Sequence, residues 1–343
     1  MKMTLDFNTI IPAIRGTAKI LEDNGRLRLC RFTDAQTEAY KNYSSDFYKK
    51  TKATAGVRLE FSTDSTSLTL KGEVVSSSSR KFYGFDVYAD GSLVSHVRGA
   101  VEAEYVDYTV TADLGVNKAK KITVYFPWSA QANITSLELD DGASFEPVTR
   151  PYKMICFGDS ITHGYDALNP SFSYASRLAD ALRADHINKG IGGEVFFPTL
   201  AELKDIIEPD YITVAYGTND WSKTQKDVFE KNSKLFYEAL SKNYPNAKIF
   251  ALAPVWRKNY TLTTKPIGEF SNVAKKLSEI AESLPNVTFI DCFDFIPHEE
   301  QYYIADVLHP NDAGFYHYAA EVYRAIKGYH IIAKGDKQWQ ILL

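Results

Sequence analysis

Met154-Ile155-Cys156-Phe157-Gly158-Asp159-Ser160-Ile161-Thr162 joins a solid apolar run to a small polar turn. Four apolar residues in succession suit a strand covered on both faces, which is the habit of parallel sheets. Gly158 closes the run and a small polar turn follows it. Three later runs read the same way: 211–216 (Tyr-Ile-Thr-Val-Ala-Tyr), 248–253 (Lys-Ile-Phe-Ala-Leu-Ala) and 286–291 (Asn-Val-Thr-Phe-Ile-Asp). Helical patterns lie between and after them. Val228, Leu235, Phe236, Ala239 and Leu240 fall on one side of a helix over 225–243. A second helix over 311–327 has Asn311 as N-cap, Phe315, Ala319, Val322 and Ile326 as its apolar stripe, and Gly328 as its stop. Strands alternating with helices predict an α/β fold with a doubly wound parallel sheet.

Upstream the period changes from helical to two. From about 17 to 140 the runs are short and alternating: Val57-Arg58-Leu59-Glu60-Phe61, Leu68/Leu70, Val106/Tyr108/Val110, Ile122/Val124/Phe126 and Leu137/Leu139. Asp90-Gly91 reads as a hairpin turn and Ser76 to Ser79 as a loop. Short strands at this spacing predict an antiparallel β-sandwich over residues 1–145. Residues 141–152 carry two prolines and a glycine and read as a linker to a domain over 151–328. The tail 329–343 is apolar and β-prone, and is expected to return and pack on the sandwich.

Composition narrows the function classes. The 343 residues carry 39 Lys+Arg against 43 Asp+Glu, a formal net charge of -4, which argues against a general binder of nucleic acid or anionic membrane. The hydrophobic share of 45% is that of a globular chain, and no apolar stretch approaches the length of a membrane span. The N-terminus shows no signal-peptide core, so the cytoplasm is the expected compartment. Cys30, Cys156 and Cys292 are too few and too scattered for a disulfide framework or a zinc site. No HExxH pattern and no phosphate-cradling glycine loop follows a strand, so neither metal nor nucleotide cofactor is expected.

In open α/β sheets the site lies beyond the carboxyl ends of the strands. Four segments stand there: Gly158-Asp159-Ser160-Ile161-Thr162, Asn188-Lys189-Gly190-Ile191-Gly192-Gly193, Gly217-Thr218-Asn219-Asp220 and Asp306-Val307-Leu308-His309-Pro310-Asn311. A serine hydroxyl needs a base to take its proton, and an imidazole needs a partner to hold it and share its charge. Ser160, His309 and Asp306 can fill those three roles. Taken in this order, the four segments resemble the four blocks of the SGNH hydrolases, the GDSL esterase/lipase superfamily, over roughly 150–328. The resemblance implies a flavodoxin-like parallel sheet, catalysis by Ser160, Asp306 and His309, and an oxyanion hole from the Ser160 N–H, the Gly193 N–H and the Asn219 side chain. Ile161 replaces the leucine of the family's name, which leaves the chemistry untouched. Gly84-Phe85-Asp86-Val87-Tyr88 resembles the GxDLY motif of β-domains that precede such esterases, with Val87 for leucine. That resemblance implies a jelly-roll-like domain, either binding glycan or serving as scaffold.

Substrate choice is less determined. Trp221 follows the third block, and Trp256 and Arg257 follow the 248–253 strand, so an aromatic wall suited to an acylated sugar is expected, with His163 as a further pocket residue. The function so implied is a serine esterase for short acyl groups, acetyl foremost, on a small-molecule or oligosaccharide ester. The alternatives are a lysophospholipase or acyl-CoA thioesterase, and, from another class, a non-catalytic glycan-binding protein. No lid segment or amphipathic membrane helix supports the lipid reading.

Overall fold

The computed structural model describes residues 2–333. The first strands are Lys2–Thr4 (β1), Ile14–Arg15 (β2), Lys19–Asp23 (β3), Arg26–Cys30 (β4), Arg58–Thr63 (β5) and Ser67–Ser76 (β6). They are followed by Phe82–Ala89 (β7), Ser92–Ala100 (β8), Tyr105–Asp113 (β9), Lys120–Tyr125 (β10), Ala130–Asp140 (β11) and Glu146–Pro147 (β12). These form two antiparallel sheets. One runs β3-β4-β11-β6-β9 with β1 added on β11; the other runs β12-β5-β10-β7-β8 with β2 added on β5.

The alternation in the sequence becomes the interior of this sandwich. Leu68, Leu70, Val110, Leu137 and Leu139 from one sheet meet Leu59, Phe61, Phe85, Ile122 and Val124 from the other in one buried cluster. Each such side chain contributes roughly 1.5–3 kcal/mol of burial. The Asp90-Gly91 hairpin forms as expected between β7 and β8, and both turn residues have positive φ (48° and 83°), as a type I′ turn requires. Gly84 to Tyr88, the GxDLY-like stretch, lies in β7. The expected linker is more ordered than its prolines imply, because β12 within it pairs with β5.

The second half contains Tyr152–Gly158 (β13), Ala184–Asn188 (β14), Tyr211–Ala215 (β15), Lys248–Leu252 (β16) and Val287–Ile290 (β17), all parallel. Their order is β14-β13-β15-β16-β17, the flavodoxin-like order for a five-stranded sheet. Strand β14 went unread in the sequence, since Ala-Asp-His-Ile-Asn holds no apolar run.

Ten helices complete the described residues apart from short 3₁₀ turns: Phe7–Ile10 (α1), Asp34–Tyr43 (α2), Ser45–Thr51 (α3), Ser160–His163 (α4), Tyr174–Ala181 (α5), Pro198–Glu202 (α6), Thr218–Lys223 (α7), Lys226–Asn243 (α8), Ser271–Glu282 (α9) and Asp312–Ala333 (α10). Met154 and Cys156 face one helical layer with Leu178 of α5 and Val322 of α10. Ile155 and Phe157 face the other, with Phe236 of α8 and Leu277 of α9.

Two further differences from the sequence reading concern helices. Helices α2 and α3 interrupt the alternating region, and Phe32 and Tyr40 bury themselves in the parallel sheet's core rather than in the sandwich. Helix α2 carries a full capping box between Thr33 and Gln36, a signal passed over in favour of the neighbouring strand pattern. Helix α10 starts after Asn311 as expected, but runs through Gly328 to Ala333. A glycine costs a helix only about 1 kcal/mol and does not have to end it. The expected return of the tail onto the sandwich concerns 334–343, outside the described residues.

Candidate active site

Ser160 stands on the turn between β13 and α4. Asp159 caps that helix, its Oδ1 accepting from the Ile161 N–H at 3.0 Å. Gly158 permits the sharp exit: a Cβ there would lie 2.0 Å from Thr162 Oγ1 and 2.9 Å from the Ala215 carbonyl. As the first residue of a helix, Ser160 has an N–H with no intrahelical acceptor. Its Oγ lies 2.8 Å from His309 Nε2.

His309 arrives from the loop before α10. Its Nδ1 lies 2.6 Å from Asp306 Oδ2, while Asp306 Oδ1 accepts from the backbone N–H groups of Leu308 and His309, both at 2.9 Å. Burial alone would raise the Asp306 carboxyl; the hydrogen bonds from His309 and Leu308 outweigh it and hold the group at about 2. Asp306 is thus an anion beside the imidazole at any working pH. Between them Val307 sits at φ 47°, a left-handed conformation that costs a β-branched residue of order 1–3 kcal/mol.

The second sequence block forms a tight turn after β14. The Glu194 N–H donates to the Ile191 carbonyl at 3.1 Å, and Gly193 takes the positive φ (88°) that the third position of such a turn demands. Among the described residues no acceptor takes the Gly193 N–H. Asn219 opens α7, with Nδ2 donating to the Glu194 carbonyl at 3.1 Å and to Asp159 Oδ2 at 3.3 Å. The structure therefore brings Ser160, Asp306 and His309 into one hydrogen-bonded chain. It also ties Asn219 to the nucleophile turn and to the Gly193 loop.

That loop is braced from the first half of the chain by residues the sequence reading missed. Arg31, fully buried, donates to the carbonyls of Asn188 (2.5 Å) and Gly190 (3.3 Å), and Lys50 of α3 donates to the Gly192 carbonyl at 2.8 Å. Only a charge count by segment could have hinted at these cations; nothing marks them as buried until the two halves meet.

Residues 156–316 match the model of the GDSL-like lipase/acylhydrolase family. This part of the chain belongs to that family. The protein is an enzyme of the SGNH hydrolase type. The fold of the whole chain, sandwich included, recurs in solved structures. A salicylyl-acyltransferase from a tetracycline biosynthetic pathway is 21% identical, with 97% of this chain and 98% of that one covered and a TM-score of 0.83. A Bacteroides ovatus protein described as a GDSL-like lipase is 18% identical, with 96% and 98% covered and a TM-score of 0.75. An acetyl xylan esterase from the rumen bacterium Butyrivibrio proteoclasticus is 15% identical, with 96% and 98% covered and a TM-score of 0.63. No curated protein matches by sequence.

Behind the Ser160 turn the hydrolase buries three carboxyls that form no salt bridge among the described residues. Burial raises Asp159 to about 6, Asp220 to about 7 and Glu194 to about 8, although Glu194 accepts from Tyr40 and Tyr216 at 2.5 and 2.7 Å. Each folded-state value lies above the ordinary carboxylate one, so the folded state binds more protons than the unfolded chain. Their contribution to stability is full below about pH 4 and is lost as pH rises through 6 to 8. Glu194→Gln keeps an acceptor for one tyrosine, offers the other hydroxyl an N–H donor, and removes the ionisation. The melting temperature of the variant relative to the parent is expected to climb by several degrees between pH 4.5 and 8. A difference independent of pH would contradict the assignment.

The expected substrate wall is not formed as drawn. Trp221 is fully buried, donates to the Gly268 carbonyl at 2.8 Å and packs on Phe270. Arg257 stacks over Trp221, its Nε donating to Asn259 and its Nη1 to Thr218 and Ser222, so most of its polar edge is engaged inside the protein. Trp256 is buried among His298, Tyr260 and Tyr303. His163 is buried too: Nε2–H donates to the Trp128 carbonyl, Nδ1 accepts from the Gly192 N–H, and burial depresses its basicity strongly. Each of these side chains finds its partners within the protein: Trp221 from α7 and His163 from α4, Trp256 and Arg257 from the segment after β16. Among the described residues no helix is long and apolar enough to cross a membrane, and no cluster of His, Cys, Asp and Glu has the form of a metal site.

Proposed function

We propose that the protein is a serine esterase that removes short acyl groups, acetyl foremost, from carbohydrate. The observation that carries the catalytic part is the unbroken chain from Ser160 Oγ through His309 (2.8 Å) to Asp306 (2.6 Å). His309 Nε2 takes the Ser160 proton as Oγ attacks the ester carbonyl. The imidazolium so formed faces the Asp306 carboxylate. The tetrahedral oxyanion is received by the Ser160 N–H, the Gly193 N–H and Asn219 Nδ2. His309 then returns its proton to the leaving alkoxide, and water repeats the sequence on the acyl-enzyme.

One observation supports the substrate class. The acetyl xylan esterase shares the fold over the sandwich as well as the hydrolase half. The test is a panel of p-nitrophenyl esters and acylated oligosaccharides, alongside lysolipids and acyl-CoA. Activity is expected to fall steeply from acetate to octanoate, because steric exclusion outweighs the ~0.8 kcal/mol that each added methylene gains by burial. A preference for octanoate, lysolipid or acyl-CoA would overturn the carbohydrate reading.

A second reading has a specific observation behind it. The salicylyl-acyltransferase superposes with a TM-score of 0.83, above the 0.63 of the acetyl xylan esterase. Acyl transfer uses the same acyl-enzyme with an alcohol in place of water. Product analysis in the presence of sugar or phenolic acceptors separates the two: ester product in excess of free acid would favour transfer.

A further inference from the structure

The loop between β6 and β7 belongs to the sandwich, yet its Arg80 reaches residues that lie beside His309 in the other half of the chain. Arg80 on this loop forms a two-pronged pair with Asp166, Nε to Oδ1 and Nη2 to Oδ2, both at 2.7 Å. Such a fork fixes a carboxylate in direction as well as position. The loop itself is held: Ser78 Oγ accepts from the Arg80 N–H at 3.0 Å, and Ser77 Oγ accepts from the Gln131 N–H at 3.1 Å. Asp166 follows α4 in a left-handed conformation, φ 70°, which a residue other than glycine takes at a cost. Its Oδ2 lies 3.9 Å from His309 Nδ1, the nitrogen that Asp306 already holds at 2.6 Å. Tyr165, next to Asp166, lies between the two: the Arg80 guanidinium is 5.4 Å from its ring centre and the His309 ring stacks on it at 6.1 Å.

We propose that Arg80 is a positioning residue of the hydrolytic centre, clamping Asp166 as a second carboxylate beside His309. The inference rests on His309 acting as the base. At 3.9 Å Asp166 makes no hydrogen bond to the imidazole, but its charge is felt there. Arg80 offsets that charge and keeps Asp166 from displacing Asp306 at Nδ1. The sandwich is thereby part of the catalytic apparatus of the other domain, whether or not it also binds glycan.

The charged and titratable groups facing His309 are Asp306 on its own loop, Asp159 on the nucleophile turn, Asp166 and Tyr165 after α4, and Arg80 from the sandwich. Arg257 lies farther off, within the field of Asp159 and Asp306. Only Arg80 and Asp166 among them form a pair of opposite charge that can be dismantled from either side. Removing the cation leaves Asp166 unbalanced and favours the protonated imidazole, which is inactive as a base. Removing the anion leaves Arg80 unbalanced and disfavours it.

The experiment is the pH profile of kcat/KM on p-nitrophenyl acetate for the full-length parent, Arg80→Ala, Asp166→Asn, the double variant and Arg80→Lys, with melting temperatures recorded. Arg80→Ala is expected to move the acid limb to higher pH by up to about one unit, the lower end of what a charge at this range does. Asp166→Asn is expected to move it to lower pH. The double variant is expected to lie between them, and Arg80→Lys to recover part of the shift. Limbs that coincide with the parent's, or that move in the same direction in both single variants, would overturn the proposal, as would a change confined to melting temperature. His309→Ala separates this from failure of the underlying reading: if that variant keeps parental turnover, the base assignment itself is wrong.

Discussion

Replacing Ser160 with alanine is expected to lower turnover of p-nitrophenyl acetate by at least about 10⁴-fold, the scale on which loss of a nucleophile is felt in triad enzymes. The change removes one oxygen whose partner is His309 Nε2. It opens no significant void and breaks no hydrogen bond of β13 or α4, so the melting temperature is expected to stay within about 1–2 °C of the parent. Circular dichroism beside the kinetic assay checks both halves. Parental turnover in the variant would remove Ser160 from the mechanism. Lost turnover together with a large drop in melting temperature would leave its role structural.

The second large effect is expected at Asn219. Its Nδ2 is tied to the Glu194 carbonyl and to Asp159 Oδ2, at 3.1 and 3.3 Å. Both contacts are on the long side for N–H···O bonds, so a developing oxyanion can compete for a hydrogen at small cost. Asn219→Ala is expected to lower kcat by roughly 10²–10³, the usual loss for one oxyanion donor, with KM little changed. Burst kinetics and steady-state kcat and KM distinguish this from a binding role. A loss confined to KM would mean that Asn219 holds the substrate and not the charge.

Much of this was legible in the chain before the fold was known, for local reasons. Met154 to Phe157 is an unbroken apolar run because both faces of β13 are covered, and such runs leave their mark on sequence. The triad was legible because Asp306 and His309 are three residues apart and because the Ser160 turn needs its own glycine. Asn311 as the cap of α10 was legible for the same reason: capping is settled within four residues.

What escaped the sequence was set by contacts across long separations. Arg31 reaches Asn188 and Arg80 reaches Asp166 only after the sandwich and the parallel sheet dock, and no local pattern records a pairing that distant. Helices α2 and α3 lie in a region whose period of two dominated the reading, although their apolar residues belong to the other domain's core. Trp221, Trp256 and Arg257 stand where a substrate wall was expected by position along the strands. Position gives the edge of the sheet; it does not say whether a side chain turns toward the cleft or into the protein. Here the indole N–H of Trp221 and the guanidinium of Arg257 both find partners inside, and that decides their direction.

The proposed mechanism turns on covalent chemistry at one oxygen, Ser160 Oγ. The decisive measurement is mass spectrometry of the intact protein, then of its proteolytic peptides, after rapid acid quench of a reaction with excess p-nitrophenyl acetate. A single added acetyl group is expected, located on the peptide that contains Ser160 and absent from Ser160→Ala. An active enzyme that carries no acetyl under these conditions, or carries it on another residue while Ser160 stays free, would contradict it.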